Sequence, residues 1–216
     1  MRIPTEELPA GNQGGAMLYE FKDNLCFQRL PSKRKYLSYY IAGFVDGEGS
    51  FSVSIKKLPT AKFGWVIDPC FQVYQHKKNI HLLELLKKFF QAGYIKPKSP
   101  KSNTYVYCIS ERRTLKEKIL PFFKKYKLLT DKWENFLKFS QIIERMEKKD
   151  HHTLEGFKAI VKLACSMNDK GKQRKYNLRE ILSSLGSSET IRQVPPFLNS
   201  QGKSRQKTKE SQNEFK

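Results

Sequence analysis

Two acids close a helical pattern in the stretch IAGFVDGEGS at residues 41–50: Asp46 and Glu48, each followed by a glycine. The last carbonyls of an α-helix lack intrahelical partners, and that end carries partial negative charge. Carboxylates are unfavourable there unless a cation shares the site. Glu48 beside a free carbonyl such as that of Gly47 offers the hard oxygen ligands that Mg²⁺ prefers, water and phosphate completing the shell. Gly47 and Gly49 let the backbone leave the helix and approach another group closely. Ala42 and Gly43 lie on the same helix, with Gly47 one turn after Gly43, and small residues at that spacing let two helix backbones pack tightly. If the partner is the same helix of a second copy, two Glu48 carboxylates meet beside a two-fold axis, one for each strand of a duplex. An acidic glycine turn that merely ends a helix and opens a strand reads the same way.

Other chemistries fit less well. Cys26, Cys70, Cys108 and Cys165 are scattered without a CxxC pair, and His76, His81, His151 and His152 have no metal-binding spacing. This argues against zinc and for free thiols in a reducing compartment. No apolar run approaches the ~20 residues needed to cross a bilayer, so no membrane role is expected. The opening MRIPTEELPAGNQGG is polar and holds two glutamates, unlike a secretory or transit peptide, so the protein is expected to act near where it is made. With 41 Lys+Arg against 21 Asp+Glu, the net charge is +20, the footprint of a polyanionic partner, nucleic acid ahead of an anionic membrane. A basic ribosomal or structural protein has the same charge but leaves the acidic helix end unexplained.

The elements that must position these residues are legible from periodicity. Residues 1–30 are broken by Gly and Pro and read as a poorly ordered extension; residues 187–216 read as a basic, disordered tail; residues 31–186 form one domain. Leu37, Ile41 and Phe44 have helical spacing. SFSVSIKK then alternates strictly, with Phe51, Val53 and Ile55 on one face and Ser52, Ser54 and Lys56 on the other, a half-buried strand. WVIDPCFQVYQ returns as a second strand, with Pro69 pointing to an edge or bulge and Gln75 on the side of Phe71 and Val73. NIHLLELLKKFFQAG is an amphipathic helix stopped by Gly93. YIKPK and TYVYCIS make a second strand pair, followed by helices over 114–123, 132–147, about 156–167 and NLREILSSL. This order predicts an α+β domain, one antiparallel sheet with its helices on one face. The other face carries Ser52, Ser54, Lys56, Gln72, Lys96, Lys98, Thr104 and Ser110, a polar, basic surface able to read a DNA major groove. An ordinary solvated face has the same alternation.

Ile41-Ala42-Gly43-Phe44-Val45-Asp46-Gly47-Glu48-Gly49 resembles the LAGLIDADG motif, with glutamate as the last acid. The chain is similar to single-motif LAGLIDADG homing endonucleases of the I-CreI and I-CeuI type, encoded in introns of large-subunit ribosomal RNA genes. KKLPTAKFGWVIDPCFQVYQH is especially similar to the I-CeuI branch, and the resemblance spans about residues 35–185. It implies an αββαββα core with a curved four-stranded sheet and extra C-terminal helices. It also implies a homodimer through the motif helices, with Ala42, Gly43, Asp46 and Gly47 at the interface. Mg²⁺ or Mn²⁺ is implied at Glu48 and the Gly47 carbonyl, with Glu48 catalytic and Gln75 ordering water. A catalytic lysine is implied after Pro121-Phe122, either Lys127 or Lys132. The basic residue that the family carries four positions after the glutamine is replaced by Asn79, with Lys77 and Lys78 nearby.

The family's groove-facing strand positions fall on Ser52, Ser54, Lys56, Gln72, Lys96, Lys98 and Cys108. DKGKQRKYNLREIL resembles a phosphate-contacting element, which implies Lys172, Arg174 and Lys175. The activity implied is Mg-dependent hydrolysis of both strands of a long pseudo-palindromic DNA site, leaving short 3′ overhangs. The alternative is an intron RNA maturase or a non-cleaving DNA- or RNA-binding relative. The implied location is the encoding organelle, chloroplast or mitochondrion, with a bacterial cytoplasm as the other setting.

Overall fold

Leu37, Ile41 and Val45 bury one face of helix α1 (Arg34–Glu48) in the computed structural model, which describes residues 34–168 and 174–191. Residues 1–30, the tail beyond 191 and Lys172 lie outside the described residues. Strand β1 (Gly49–Lys57) starts on the residue after α1, with no loop between them. Gly49 makes this possible: a Cβ there would lie 2.5 Å from Val45 Cγ1 and 2.7 Å from the Val45 carbonyl. Strand β2 (Trp65–His76) follows, then α2 (Ile80–Phe90), β3 (Tyr94–Pro97) and β4 (Thr104–Ile109). Gly93, at φ +80°, closes the exit from α2, where a Cβ would sit 2.7 Å from the Cys108 carbonyl.

A helical stretch over 112–125 (α3) comes next, longer than the 114–123 expected. It has three pieces: an α turn Arg112–Thr114, a π turn Leu115–Ile119 and an α segment Leu120–Lys125. Pro121 explains the middle piece, since it has no N–H to donate and its ring crowds the preceding turn of an α-helix. Helices α4 (Lys132–Glu147), α5 (Leu154–Cys165) and α6 (Leu178–Ile191) complete the chain. α6 passes the domain boundary expected at 186.

The sheet has the order β1-β2-β4-β3, all neighbours antiparallel, so the expected αββαββα core with added helices is present. Register pairs Phe51 with Phe71 and Phe71 with Ile109, which sets one face of the sheet inward. Phe51 is the centre of that face, its ring centroid 5.2–5.4 Å from those of Phe71, Phe123, Phe136 and Phe139. Helices α3 and α4 thus cover the inner face.

Pro69 sits where β2 is locally an edge, with β1 on one side only and no bulge. The carbonyls of Phe51 and Val53 turn away from β2 and accept from Asn168 Nδ2 (2.9 Å) and an Arg174 guanidinium nitrogen (2.6 Å). Pairs of this parity leave the ladder toward β2 unbonded, so Pro69, opposite Val53, owes no N–H to β1. Its other side lies beyond β4, which ends at Ile109 opposite Phe71. Asn168 and Arg174 meanwhile occupy the free edge of β1, where unpaired backbone groups would invite another strand.

Candidate active site and nucleic-acid interface

The acidic end of α1 is neutralised from a distant part of the chain. Lys132, the first residue of α4, donates from Nζ to the carbonyls of Val45 (3.0 Å), Asp46 (2.7 Å) and Gly47 (3.2 Å). An ammonium on the last carbonyls of a helix is favourable both as a donor and against the dipole. Burial pushes the Lys132 amine below its ordinary range, while the Asp46, Glu48 and Asp131 carboxylates pull it back up. Of the two lysines expected near the site, the geometry brings Lys132 to the motif. Lys127 instead sits exposed, over the ring of Trp133 at 5.8 Å.

The two motif acids have separate surroundings. Asp46 accepts from the backbone N–H of Leu129 (2.8 Å) and Thr130 (3.2 Å) and from the Thr130 hydroxyl (2.6 Å). It therefore pins the loop that delivers Lys132, its carboxylate engaged within its own chain. Glu48 is exposed and makes no hydrogen bond or ion pair among the described residues. Its carboxylate and the second lone pair of the Gly47 carbonyl are open hard donors. No group of three His, Cys, Asp or Glu side chains able to hold a metal occurs among the described residues. One carboxylate and one carbonyl suit Mg²⁺, which is commonly held by one or two carboxylates, substrate phosphates and water. They do not suit a closed structural site.

Gln75 lies on the inward side of β2, two positions beyond Val73, the register partner of Gly49. That places it at the end of the sheet where α1 delivers Glu48. Its Oε1 accepts from the His76 backbone N–H (3.0 Å) and from Asn79 Nδ2 (3.3 Å). The backbone donor fixes which amide atom is the oxygen, so Nε2 is left as a free-facing donor. Asn79, read from sequence as a departure, thus orients Gln75, and its spacing of four was the only sequence signal of this. Lys77 and Lys78 are exposed in the short turn Lys77–Asn79.

Small residues on α1 divide likewise. Cβ atoms at Gly43 and Gly47 would meet nothing within 4 Å, and both are exposed on the face that also shows Tyr36 and Tyr40. Ala42, expected with them, is buried at 5% exposure in the chain's own core. A helix turns 100° per residue, so Ala42 belongs to the stripe of Leu37, Ile41 and Val45.

The outer sheet face carries Ser52, Ser54, Lys56, Gln72, Lys96 and Cys108 by register. It borders a groove of about 890 Å³ lined in part by Ser50, Ser54, Lys56, Gln72, Tyr74 and Lys175. Lys96 and Lys98 are exposed beside the rings of Tyr94 and Tyr74. Two side chains are partly engaged: Ser52 Oγ donates to the Cys70 carbonyl at 3.3 Å, and Lys56 pairs with Asp68. Cys108 has the expected parity but is 2% exposed, too buried to touch a base edge.

Lys175 is exposed. Arg174 is not a free phosphate ligand, because its guanidinium donates to the carbonyls of Val53 and Ala164, joining the β1 edge to the end of α5. Sequence reasoning missed this bond because nothing local marks a carbonyl as vacant. Arg174→Ala is expected to lower unfolding stability by about 1–3 kcal/mol, the cost of orphaned polar groups, as read by urea denaturation. A variant of unchanged stability whose duplex affinity becomes less salt-dependent would return Arg174 to the phosphate-binding set.

Residues 41–143 match the LAGLIDADG endonuclease family. Over 119 residues the chain is 37% identical to the DNA endonuclease I-CeuI of Chlamydomonas moewusii, covering 54% of this chain and 55% of that one. Over 130 residues it is 38% identical to the probable intron-encoded endonuclease 2 of Neurospora crassa, covering 60% of this chain and 28% of that one. The chain therefore spans only about half, or less, of the length of these relatives. The archaeal intron-encoded homing endonuclease I-Vdi141I, solved in complex with DNA, superposes with a TM-score of 0.67 at 33% identity, covering 73% of this chain and 99% of that one. Motif, strand register and whole-domain superposition agree, and the chain belongs to the LAGLIDADG endonuclease family.

Proposed function

We propose that the chain is a site-specific homing endonuclease that cuts both strands of a long, roughly palindromic DNA duplex as a homodimer, leaving short 3′ overhangs. The carrying observation is the end of α1, where Glu48 is exposed with no partner among the described residues and the Gly47 carbonyl, accepting from Lys132, keeps one lone pair. I-CeuI is named a DNA endonuclease and I-Vdi141I binds DNA, which supports DNA as the substrate. These 216 residues carry one motif and hence one Glu48, and a second copy would supply the second site that two cuts need. The open stripe of Gly43 and Gly47 offers the surface on which a second α1 would pack. The words intron-encoded in the relatives' names support a product of an intron reading frame acting in the organelle that encodes it.

Glu48 and the Gly47 carbonyl would hold Mg²⁺ or Mn²⁺, which supplies charge neutralisation and an acidified water. The remaining work falls to the chain itself. Gln75 donates from Nε2 and orients a water for in-line attack. Lys132 places a positive charge next to the phosphate, where charge develops in the transition state. Asp46 holds the 129–130 loop, and so Lys132, in place. The exposed Lys96, Lys98 and Lys175 neutralise backbone phosphates, and Gln72 and Ser54 face base edges.

The test is cleavage of a plasmid bearing candidate intron-insertion sequences. Linear product is expected with Mg²⁺ and none with EDTA. Support of intron splicing by a chain that cuts none of these plasmids would replace this reading with an RNA maturase.

A further inference from the structure

Cys70 and Cys108, on neighbouring strands β2 and β4, are free thiols whose sulfurs lie 2.7 Å apart. That is within an ångström of the bonded distance of about 2.05 Å. Register brings them together, because Cys108 lies opposite Gln72 and Cys70 is the diagonal neighbour on the same outer face. Cys70 is half-buried and Cys108 is buried, so approach is from the Cys70 side. The hydrogen bond from the Cys70 thiol, helped by Tyr94, Gln72 and Lys96, holds Cys108 down to about 6 against its burial. Cys70 is correspondingly pushed up by the same bond. A low-lying thiol in contact with a second thiol that reaches the surface is the setting of an oxidation-sensitive pair, and here Cys70 supplies the opening to the buried Cys108.

We propose that Cys70 and Cys108 are an oxidation site built into the base-facing sheet, closed by a peroxide into a disulfide that joins β2 to β4 and weakens sequence discrimination. The Cys108 thiolate attacks one oxygen of hydrogen peroxide; the O–O bond breaks, hydroxide leaves and Cys108 becomes a sulfenic acid. Hydroxide removes the Cys70 proton as water. The Cys70 sulfur then attacks Cys108 Sγ, forming the S–S bond and expelling hydroxide, which takes the proton released when Cys108 ionised. Two thiols and one peroxide give one disulfide and two waters, with two electrons passing from sulfur to oxygen.

The consequence for DNA follows from the neighbours. Gln72 Nε2 stands 4.0 Å from Cys108 Sγ, and the Tyr74 hydroxyl donates to Gln72 Oε1 at 3.0 Å. Closing the bridge consumes the sulfur anion that Gln72 and Tyr94 face, so the amide loses part of what orients it. This arm rests on the proposed DNA-facing role of the sheet; the thiol chemistry does not.

The full chain, reduced and then treated with hydrogen peroxide, is mapped by non-reducing peptide mass spectrometry. Cys165, half-buried on α5 and pushed up by burial, is the internal reference. A Cys70–Cys108 linked peptide is expected while Cys165 is still a thiol, reversed by dithiothreitol. Cys70→Ser should instead leave Cys108 as a sulfenic acid trapped by dimedone. The bridged chain should show about a fivefold lower ratio of cleavable-duplex to random-duplex affinity, the scale of one lost amide–base contact. Dithiothreitol should restore the reduced ratio in the bridged chain. Thiols at 70 and 108 that outlast Cys165, or a bridged chain that discriminates as well as the reduced one, would overturn the proposal. A reduced chain that cuts no duplex, with the bridge still formed, counts against the endonuclease reading and not against the oxidation site.

Discussion

Replacing Glu48 by glutamine is expected to lower strand cleavage by on the order of 10³-fold or more, while the fold and metal-free duplex binding are retained. The size follows from the several kcal/mol that charge stabilisation by a bound divalent ion supplies in phosphoryl chemistry. Glutamine keeps the shape of the side chain and removes its charge. The fold should not suffer, because Glu48 is exposed and holds no partner among the described residues. It also sits at the negative end of α1, where loss of a negative charge relieves repulsion. The measurements are single-turnover cleavage in Mg²⁺, duplex binding in EDTA and thermal unfolding. Cleavage within tenfold of the parent chain would remove Glu48 from the metal centre and leave the acidic helix end without its proposed cause. A variant that neither melts at the parent temperature nor binds DNA would assign Glu48 to the fold instead.

Filling Gly43 separates assembly from folding. A Cβ at 43 meets nothing within 4 Å in the isolated chain, and glycine inside a helix is worse than other residues by about 0.5–1 kcal/mol. Gly43→Gln is therefore expected to raise the stability of the monomer. In a dimer packed helix to helix through that stripe, the same side chain is overpacked at about 1–3 kcal/mol, and two-fold symmetry counts it twice. Dimerisation and double-strand cleavage should weaken by roughly 30-fold or more, with Gly43→Ala in between. Sedimentation with and without the duplex reads assembly directly. If Gly43→Gln assembles and cuts as well as the parent chain, the second copy does not dock on α1.

Much of the fold is written in local periodicity. The alternation of Phe51, Val53 and Ile55 with Ser52, Ser54 and Lys56 predicted which side of β1 is core, because successive strand side chains must point to opposite faces. The same rule placed Lys96 and Lys98 with Gln72 on the outside. It misled at Cys108, whose parity is outward but which is covered, since alternation tells a side and not what lies over it. Small residues misled in a similar way: Ala42 and Gly43 are adjacent in sequence, yet the helical turn sends one into the core and leaves the other on the surface.

The positions of chemistry divide on the same principle. A helix ending in Glu48, its open Gly47 carbonyl, the loop-free entry into β1 and the basic outer face are properties of neighbouring residues and of the geometry of helices and strands. The sequence alone therefore determined the motif and the sheet, and its charge pointed to a polyanionic partner. The tertiary structure decided which lysine reaches the Gly47 carbonyl, 85 residues away, and that Asp46 pins the 129–130 loop. It also decided that Arg174 serves the edge of β1 and that Cys70 meets Cys108. Those pairings depend on how helices and strands pack against one another, and residues that far apart in the chain carry no local signal of the carbonyl or sulfur they will meet.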